Sequence, residues 1–524
     1  MVHSLSLQAI SLGVRGRMKK IGKLWGGRFD RLPSQEIIDF LSGRDVRGLP
    51  PCDERLIPYD VWGSRAHALM LCHQGILSVQ EAKKILRGLK EIETLCQNGK
   101  FKLDASKEDV HSNIESFLIR RAGIEAGGKI HTGRSRNDQI ALDMRLYLRD
   151  QVIALATGLI SLMDALLEKA QDHRATLMPG YTHHQHAMAT TFGHLLLAFG
   201  EGLQRDLQRL MHWVELFNKS PLGAAAGYGT SFRLNRHLTS KLLGFDGPTE
   251  NTTDPVTQRW EPEGDLAYAV GVMMNHLSTM AQTFILLSTR EFDMVRLDDR
   301  HCSGSSIMPQ KRNPDTLEVI KGKASFTHGI VANLLSVGRG LFMGYNRETQ
   351  WTKYWIMDLV EESKPAVGVM AEVVSGLQVN KAQMLAQVQK GFVGATPLME
   401  WMVHSCGLPL RKAKTVVEKA VKYSDEEGLG NVSFRSLSRA LREMKVDVPI
   451  REKEVRRIQS PEGVLTQACS TGMPSETGIE ENRVSLRKRL DGVREWVRLQ
   501  KEAIDKARKA LSKMEEQLGK KAQH

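Results

Sequence analysis

The stretch DQIALDMRLYLRDQVIALATGLISLMDALLEKAQ, residues 138–171, contains no proline and a single glycine, Gly158. Its apolar residues recur at helical spacing and form one face, which only Arg149 interrupts. The residues of this face are Leu142, Leu146, Ile153, Ala156, Ile160, Met163, Leu167 and Ala170. At about 1.5 Å per residue the stretch predicts a helix roughly 50 Å long, which is longer than one small domain needs.

Further helical runs flank this helix, and strand-like alternation is scarce. The main runs are residues 79–97, 192–218, 263–290, 317–336 and 353–377, and a kink is expected at Pro365 in the last one. We therefore predict a mainly α arrangement of three helical domains around a central bundle of long helices. The predicted domains are an N-terminal helical domain (1–134), a central long-helix bundle (135–378) and a C-terminal helical domain with an extended basic helix (379–524).

The C-terminal segment has a regularity of its own. Its apolar residues from Leu486 to Leu518 follow an alternating spacing of four and three, weakened only at Gln500 and Ala507. This spacing keeps one seam of a helix facing a partner. Two interpretations stay open, namely an oligomerisation coil and an amphipathic helix folded back on its own domain.

The charge of the chain lies mainly at its two ends. Of 524 residues, 73 are Lys or Arg and 60 are Asp or Glu, which gives a formal net charge of +13. Residues 1–20 contribute +4 and residues 481–524 contribute +6, which leaves +3 on the body of the chain. The body therefore lacks the basic field of a nucleic-acid binder. The six cysteines form no CxxC pair, which favours free thiols in a reducing cytosol.

One uncharged stretch, residues 266–289, is long enough to span a membrane. Asn275, His276, Gln282 and several hydroxyl residues interrupt it, so we expect a buried bundle helix instead. The first 20 residues lack the long apolar core of a secretory signal. A transit peptide and an extension before a start at Met18 both stay open.

Two polar clusters are rich in groups that bind anions. The segment CSGSSIMPQKRNPD (302–315) is typical of a loop, and its lysine, arginine and asparagine offer donors to a carboxylate or phosphate. The segment HTGRSRNDQ (131–139) lies just before the long helix, where free backbone amides suit anions. A solvated loop in the first segment and a plain helix cap at Ser135 or Asn137 in the second are the alternatives.

Two further clusters carry candidate catalytic and binding groups. The segment PGYTHHQHA (179–187) places three histidines just ahead of a predicted helix, and histidine is suited to proton transfer near neutral pH. Packed or surface histidines are an equal alternative, and no Asp, Glu or Cys lies in the cluster to complete a zinc site. In YNRETQWTK (345–353), Tyr345, Gln350 and Lys353 are positioned to line a pocket, although the same residues are common on surfaces.

Together these segments resemble the argininosuccinate lyases of the fumarase/aspartase superfamily. The resemblance runs nearly from end to end, from KLWGGRF (23–29) through DVHSNIE (109–115) to GFVGATPL (391–398) and GLPLRKA (407–413). The pattern GSSxMPxKxNP marks the superfamily. KLWGGRF, TGRSRNDQ and the Tyr-x4-Gln-x2-Lys spacing mark the family.

The resemblance implies a reversible elimination that splits argininosuccinate into arginine and fumarate, with no metal or organic cofactor. It implies that Ser305 takes a proton on a mobile loop and that Lys311 stabilises the negative intermediate. It makes His183 an acid/base residue with Glu318 as its charge partner. The residues at substrate-binding positions are Ser42, Asn137, Thr182, Asn313, Tyr345, Gln350 and Lys353. The family also implies a cytoplasmic homotetramer in which each active site draws on three chains.

Two segments depart from the family pattern. The N-terminal binding serine falls in Phe40-Leu41-Ser42-Gly43, where strict spacing lands on Gly43. The segment NTTDPVTQRW (251–260) keeps Arg259 but has Gln258 and Trp260 where acids are usual. These departures favour, as the nearest alternative, a lyase acting on another fumaryl adduct.

A structural protein that keeps the fold without catalysis is the non-enzyme alternative. The catalytic positions Ser305, His183, Lys311 and Glu318 are all retained, which argues against it.

Overall fold

The structure is a computed structural model that describes residues 30–31, 34–42, 50–468 and 470–520. The basic first 20 residues, the KLWGGRF segment, Gly43, Cys469 and the last four residues lie outside the described residues. The described part is almost entirely helical, which confirms the mainly α prediction.

Five N-terminal helices precede the long helix in the described part of the chain. They are α1 (Gln35–Ser42), α2 (Cys52–His73), α3 (Val79–Gln97), α4 (Val110–Ala122) and α5 (Ile124–Gly127), with 3-10 turns at Ala105–Lys107 and Gly128–His131. Local sequence sets the starts: Ser78 and Glu81 form a capping box on α3, and Asp109 accepts the Ser112 amide at the start of α4.

The central region contains the long helices and two small antiparallel sheets. Its helices are α6 (Arg136–Asp172), α7 (Phe192–Phe217), α8 (Arg236–Leu242), α9 (Asp254–Thr257), α10 (Trp260–Leu287), α11 (Asp315–Gly338) and α12 (Thr352–Gly376), with 3-10 turns at Asp299–His301 and Arg347–Gln350. The sheets pair β1 (Leu177–Thr182) with β2 (Gln185–Thr191) and β3 (Val295–Arg296) with β4 (Gln378–Val379).

The long helices alternate in direction. The Arg145 guanidinium, near the start of α6, donates to the Lys219 carbonyl just past the end of α7, so these two helices are antiparallel. Glycine 338, at the end of α11, lies against Trp260 at the start of α10, so that pair is antiparallel too. Lysine 169, near the end of α6, donates to the Leu377 carbonyl just past α12, so α6 and α12 are parallel.

The C-terminal region has a core of its own. Its helices are α13 (Lys381–Val388), α14 (Ala395–Cys406), α15 (Leu410–Glu426), α16 (Phe434–Glu443), α17 (Glu452–Gln459), α18 (Pro461–Thr466) and α19 (Glu476–Lys520). Helices α14, α15, α16 and α17 pack together through a buried cluster that includes Leu398, Val416, Leu437 and Ile458. The domain boundaries drawn at residues 134 and 378 stay a prediction.

The last helix, α19, packs against the central bundle. Its buried residues Leu486, Leu490, Val493 and Val497 belong to the main core, so the seam faces the chain's own bundle. This corresponds to the second interpretation of the C-terminal spacing, a helix folded back on the protein.

Helices α6 and α10 are long and apolar enough to cross a membrane by length and composition alone. Both are bundle helices here, and α10 buries Leu266, Val270, Leu277 and Phe284 against its neighbours. The sequence-based expectation of a bundle helix near residues 266–289 agrees with this packing.

The end of α19 is tied to the N-terminal helices by one carboxylate. Glu515 is 8% exposed and accepts from Arg65 at 2.8 Å and from Lys90 at 2.9 Å. Burial alone raises the pKa of a carboxyl group, but these two cations hold the pKa of Glu515 below its usual range. The resulting stabilisation is present above the ordinary carboxylate pKa and is lost as the pH falls through the lowered value.

We expect Glu515→Ala to lower the free energy of unfolding by about 1–3 kcal/mol, because Arg65 loses its carboxylate partner. The matched control is Glu502→Ala on the outer face of α19, where solvent screens an exposed pair with Arg498 and the pair therefore contributes much less to stability. Thermal denaturation of both variants measures this difference. Equal melting temperatures for the two variants would contradict it.

Candidate active site

A cavity of about 240 Å³ lies at the N-terminal ends of α6 and α12. Four predicted substrate-binding residues line it together: Asn137, Tyr345, Gln350 and Lys353. They come from two segments more than 200 residues apart in the chain. The cavity is slightly smaller than the roughly 300–1,000 Å³ of small-molecule pockets.

Local structure explains how these side chains reach the cavity. Ser135 caps α6, since its hydroxyl accepts the Asn137 amide at 3.3 Å while its own amide donates to Asp138 at 2.8 Å. The capping alternative is therefore correct for Ser135, and Asn137 faces the cavity from the first helical turn. Gln350 ends a 3-10 turn, and Lys353 lies in the first turn of α12.

Most charges that line the cavity are paired within the chain. Lys353 is 4% exposed and its ammonium contacts the Asp53 carboxylate. Arg136 pairs with Asp109 at 2.9 Å and with Glu108 at 3.2 Å. The cavity therefore presents both signs of charge, as a zwitterionic ligand requires.

A buried polar network lies behind the cavity wall. The His111 Nδ1 atom is 2.5 Å from Asp60 and 3.7 Å from Asp143. Arg134 donates to the Ser64 hydroxyl at 2.9 Å, and Ser64 in turn donates to Asp60 at 3.1 Å. Arg134, which lies in the segment 131–139 that was predicted to bind anions, thus belongs to this network and does not line the cavity.

The same network contains the donor types of a metal site. Ligand atoms of Asp60, His111 and Asp143 lie within 4.8 Å of one another and all three residues are buried. Arg134 already places a guanidinium charge among these carboxylates, and the Asp60–His111 hydrogen bond occupies one ligand atom from each. A second cation there is unfavourable because it adds to the charge of Arg134.

The two carboxyl groups of this network have opposite pKa shifts. Burial alone would raise the pKa of Asp60, but the hydrogen bond and charge of His111 lower it. Burial and the neighbouring Asp60 charge raise the pKa of Asp143 well above its usual range. One buried oxygen of Asp143 also has no hydrogen-bond partner among the described residues. The network therefore stabilises the ionised form of Asp60 and favours the protonated form of Asp143.

The predicted catalytic histidine lies on a hairpin, which corrects the expected position just ahead of a helix. Strand β1 ends at Thr182 and β2 begins at Gln185, so His183 and His184 form a two-residue turn. Both have left-handed backbone, with φ of 54° and 61°. This geometry costs about 1 kcal/mol or more per residue for an L-amino acid, and such strain often marks a functional site.

The remaining members of the histidine cluster diverge. Thr182, His183 and His184 are exposed at the hairpin tip, whereas His186 stacks edge-on against Tyr181. The three histidines therefore have different surroundings.

The loop that carries Ser305 is closed at its base. Ser303 and Asn313 exchange two backbone hydrogen bonds of 3.0 and 2.8 Å, and Arg312 pairs with Asp299 below them. The amides of Ile307 and Met308 donate to the Ser305 hydroxyl oxygen at 3.2 and 3.0 Å. Two donors on this oxygen stabilise an alkoxide there.

Other predicted residues occupy the surface of the same region. Lys311 is exposed near the end of the loop, and Glu318 is exposed in the first turn of α11. The Asn313 side chain donates to the Ser303 hydroxyl at 3.3 Å, so it faces the loop base. Ser42 is the last residue of α1, and its side chain lies outside the described residues.

The cavity and the predicted catalytic residues lie at opposite ends of the bundle. Helix α6 has 37 residues and separates Asn137 from the hairpin by roughly 55 Å. Helix α11 has 24 residues and separates the Ser305 loop from Tyr345 by roughly 35 Å. One chain therefore does not bring His183 or Ser305 to its own cavity. Among the described residues, no hydrogen bond or ion pair joins Ser305, His183 and Glu318.

Several cavity residues were not predicted from the sequence. Asp53, His111 and Arg259 line the cavity beside the predicted residues. Asp53 follows Pro50-Pro51 at the start of a helix, where an acid is commonplace, so its role appears only through its contact with Lys353, 300 residues away. Arg259 stood out in the sequence only as a retained residue in a divergent segment.

The divergent pair Gln258 and Trp260 has a packing explanation. The Trp260 indole nitrogen donates to the Gln258 side chain at 2.9 Å. A Cβ added at Gly338 would lie 2.3 Å from the Trp260 ring, so the ring needs a glycine at this position. The two departures therefore form a compensated contact between α10 and α11.

Comparison with known proteins identifies relatives across most of the chain. A family model described as Lyase matches residues 43–329. An argininosuccinate lyase from Hahella chejuensis is 40% identical over 428 residues, covering 81% of this chain and 90% of the relative. One from Caldanaerobacter subterraneus subsp. tengcongensis is 39% identical over 452 residues, covering 86% and 99%.

Solved structures extend the comparison. The crystal structure of EDDS lyase in complex with formate aligns with a TM-score of 0.85 at 29% identity, covering 93% of this chain and 96% of that one. A class II fumarase from Schistosoma mansoni aligns with a TM-score of 0.65 at 17% identity, covering 82% and 95%. The second likeness is one of fold.

Because the pKa shifts of Asp60 and Asp143 are opposite, we expect asparagine to change the stability of the protein differently at the two positions. We expect Asp143→Asn to change the melting temperature little at pH 7, because the surroundings of Asp143 favour an uncharged group and the amide supplies one. We expect Asp60→Asn to destabilise by about 3 kcal/mol, because it removes a buried anion that His111 and Arg134 face.

The pH dependence gives an independent check. A raised pKa in the folded state makes stability fall as the pH rises from the ordinary carboxyl range towards the raised value. We expect Asp143→Asn to flatten this part of a stability profile measured by thermal denaturation. A large loss for Asp143→Asn at pH 7, together with tolerance of Asp60→Asn, would reverse the assignment.

Proposed function

The chain belongs to the argininosuccinate lyase family, and on that premise we propose that it catalyses the reversible elimination of argininosuccinate to arginine and fumarate, the last step of arginine biosynthesis. The proposal rests on one observation: a single cavity of mixed charge is lined by Asn137, Tyr345, Gln350 and Lys353. These are four of the seven residues that the family resemblance assigns to substrate binding.

The proposed reaction begins with proton removal from the succinyl carbon that lies beside a carboxylate. Ser305 takes this proton as an alkoxide, and the electron pair left on carbon spreads into the carboxylate to give a dianion. The carbon–nitrogen bond then breaks, the double bond of fumarate forms, and the guanidinium nitrogen leaves with arginine. The amide donors of Ile307 and Met308 support the charge on Ser305.

We assign His183 to proton transfer at the leaving nitrogen, with Glu318 as its charge partner. Lys311 stabilises the dianion, since its exposed ammonium can be carried onto the substrate as the loop closes. Thr182 and Asn313 bind the succinyl half of the substrate, which carries this negative charge. No metal or organic cofactor takes part in this scheme.

The scheme requires more than one chain. Because α6 and α11 hold the cavity and the catalytic segments at opposite ends, a second copy running antiparallel can bring its Ser305 loop to the first copy's cavity. We propose a homotetramer in which each site takes its cavity from one chain and its hairpin and loop from others.

Exposed apolar groups support this assembly. Tyr268 on α10 and Phe326 and Leu335 on α11 are 56%, 42% and 51% exposed along the bundle. At the loop tip Ile307 is 85% exposed. Apolar residues left open on a bundle face and on a catalytic loop are suited to contact with further copies.

A second candidate is a lyase that acts on another fumaryl adduct, which the likeness to EDDS lyase favours. The compensated contact of Gln258, Trp260 and Gly338 weakens it, because the divergence is then one of packing. We also propose a cytoplasmic location, in keeping with the free thiols of the described cysteines.

Ser305→Ala and His183→Asn are each expected to lower kcat for fumarate release by about 10²–10⁴-fold, because each removes a proton-transfer group. The oligomer is expected to stay intact, since His183 is exposed on a hairpin and Ser305 is half-buried on a loop, so neither side chain is part of the chain's core. Ultraviolet absorbance of fumarate and gel filtration measure the two effects. Substantial residual turnover in either variant refutes the role given to that residue.

Shared sites predict that two inactive variants complement each other. Ser305→Ala removes the proton-transfer group of the loop, and Lys353→Gln removes a binding group of the cavity. A mixed oligomer therefore contains some sites that combine an intact loop with an intact cavity. Coexpression of the two chains is expected to restore part of the activity, whereas mixing the separate homo-oligomers without subunit exchange restores none. Absence of recovery in verified mixed oligomers would mean that each site lies within one chain.

A further inference from the structure

The cavity contains one buried cation that the proposed reaction does not yet use. Arg259, which precedes α10, is 5% exposed and lines the cavity. Its guanidinium lies 5.7 Å from the centre of the Tyr345 ring, a cation–π contact that orients the group beside a predicted binding residue.

The charge of Arg259 is not matched at short range. Lys353 and Arg136 in the same cavity pair with Asp53 and Asp109. Among the described residues, no carboxylate oxygen lies within 4.0 Å of the Arg259 guanidinium. Its Nε atom is also buried with no hydrogen-bond partner in the described structure. The guanidinium does donate to the neutral Tyr345 side chain, and Glu263 acts on it from a longer distance. A buried guanidinium with no adjacent anion among the described residues is unfavourable unless a ligand supplies one.

The nearest acid does not supply that anion fully. Glu263 lies one turn further along α10 and also faces Arg145. Burial raises the pKa of Glu263 to about 7, so the carboxyl carries only part of a charge at neutral pH. One of its oxygens is itself buried without a partner.

The proposed substrate offers a matching anion. Its arginine half ends in an α-carboxylate and an α-ammonium, and the cavity presents the Arg259 guanidinium together with carboxylates. The groups that act at the bond to be broken, Ser305 and His183, are contributed from the opposite end of the chain. Resting on the proposed function, we propose that Arg259 binds the α-carboxylate of the arginine half and selects for it.

The reverse reaction separates the two halves of the substrate. Arg259→Gln is expected to raise the KM for arginine about ten- to a hundredfold, the loss of one charge-assisted hydrogen-bonded contact, and to leave the KM for fumarate nearly unchanged. Arg259→Lys keeps the charge and is expected to give a smaller increase, again for arginine alone. Agmatine, which lacks the α-carboxylate, is expected to be a poor substrate of the wild type, and Arg259→Gln is expected to lose most of this discrimination.

The matched control is Arg149→Gln, which removes an equally buried guanidinium far from the cavity. Arg149 is 2% exposed and donates to Asn218, Leu243 and Gly244 at 2.8–3.1 Å. We expect this variant to melt at a lower temperature with both KM values unchanged.

Distinct outcomes separate the two claims. If the wild type forms no argininosuccinate from arginine and fumarate, the proposed function fails. If the wild type is active but the Arg259 variants raise both KM values alike, or keep the wild-type preference for arginine over agmatine, the role of Arg259 is refuted. Should Arg259→Gln not fold, the lysine variant decides between the same outcomes.

Discussion

The length and direction of the bundle helices constrain the rest of this protein. Helix α6 fixes Asn137 at one end and leads into the hairpin at the other, while α11 does the same for Tyr345 and the Ser305 loop. A rigid helix of 37 residues cannot bend to bring its ends together. The cavity and the segments that carry His183 and Ser305 therefore lie at opposite ends of one chain, which is why the proposed function calls for more than one chain.

Charge pairing distinguishes the structural groups from those left for a ligand. Glu515, Asp53 and Asp109 each have cationic partners in the chain, and the Asp60 network is balanced by His111 and Arg134. Arg259 is buried with no carboxylate oxygen within 4.0 Å among the described residues, and Lys311 is exposed on a loop. Burying a charge is costly, so an unmatched one in a cavity is better explained by a ligand than by stability.

The sequence predicted the helices well and the tertiary contacts poorly. An uninterrupted apolar face located α6 to within two residues at its start and one at its end, and the alternating spacing located the buried seam of α19. The hairpin was not predicted, because its turn is His183-His184 and not the usual Asn-Gly. Pro179 and Gly180, which lie in β1, are moreover residues that usually interrupt a helix or strand. The left-handed backbone of His183 and His184 is held by tertiary structure, so no local sequence pattern predicts it.

Site residues could be assigned only where a motif carried them. Asn137, Tyr345, Gln350 and Lys353 were found by family resemblance and do meet at the cavity, whereas Asp53 and Arg259 depend on contacts between distant segments. Arg134 stands in the same motif as Asn137 but faces inwards, since the helix start turns the two side chains apart. The central claim is best tested by ultraviolet measurement of fumarate release by the wild type from argininosuccinate and, in parallel, from EDDS. The account predicts release from argininosuccinate with a kcat/KM of about 10⁴ M⁻¹s⁻¹ or more and little from EDDS; release from EDDS alone, or from neither, would contradict it.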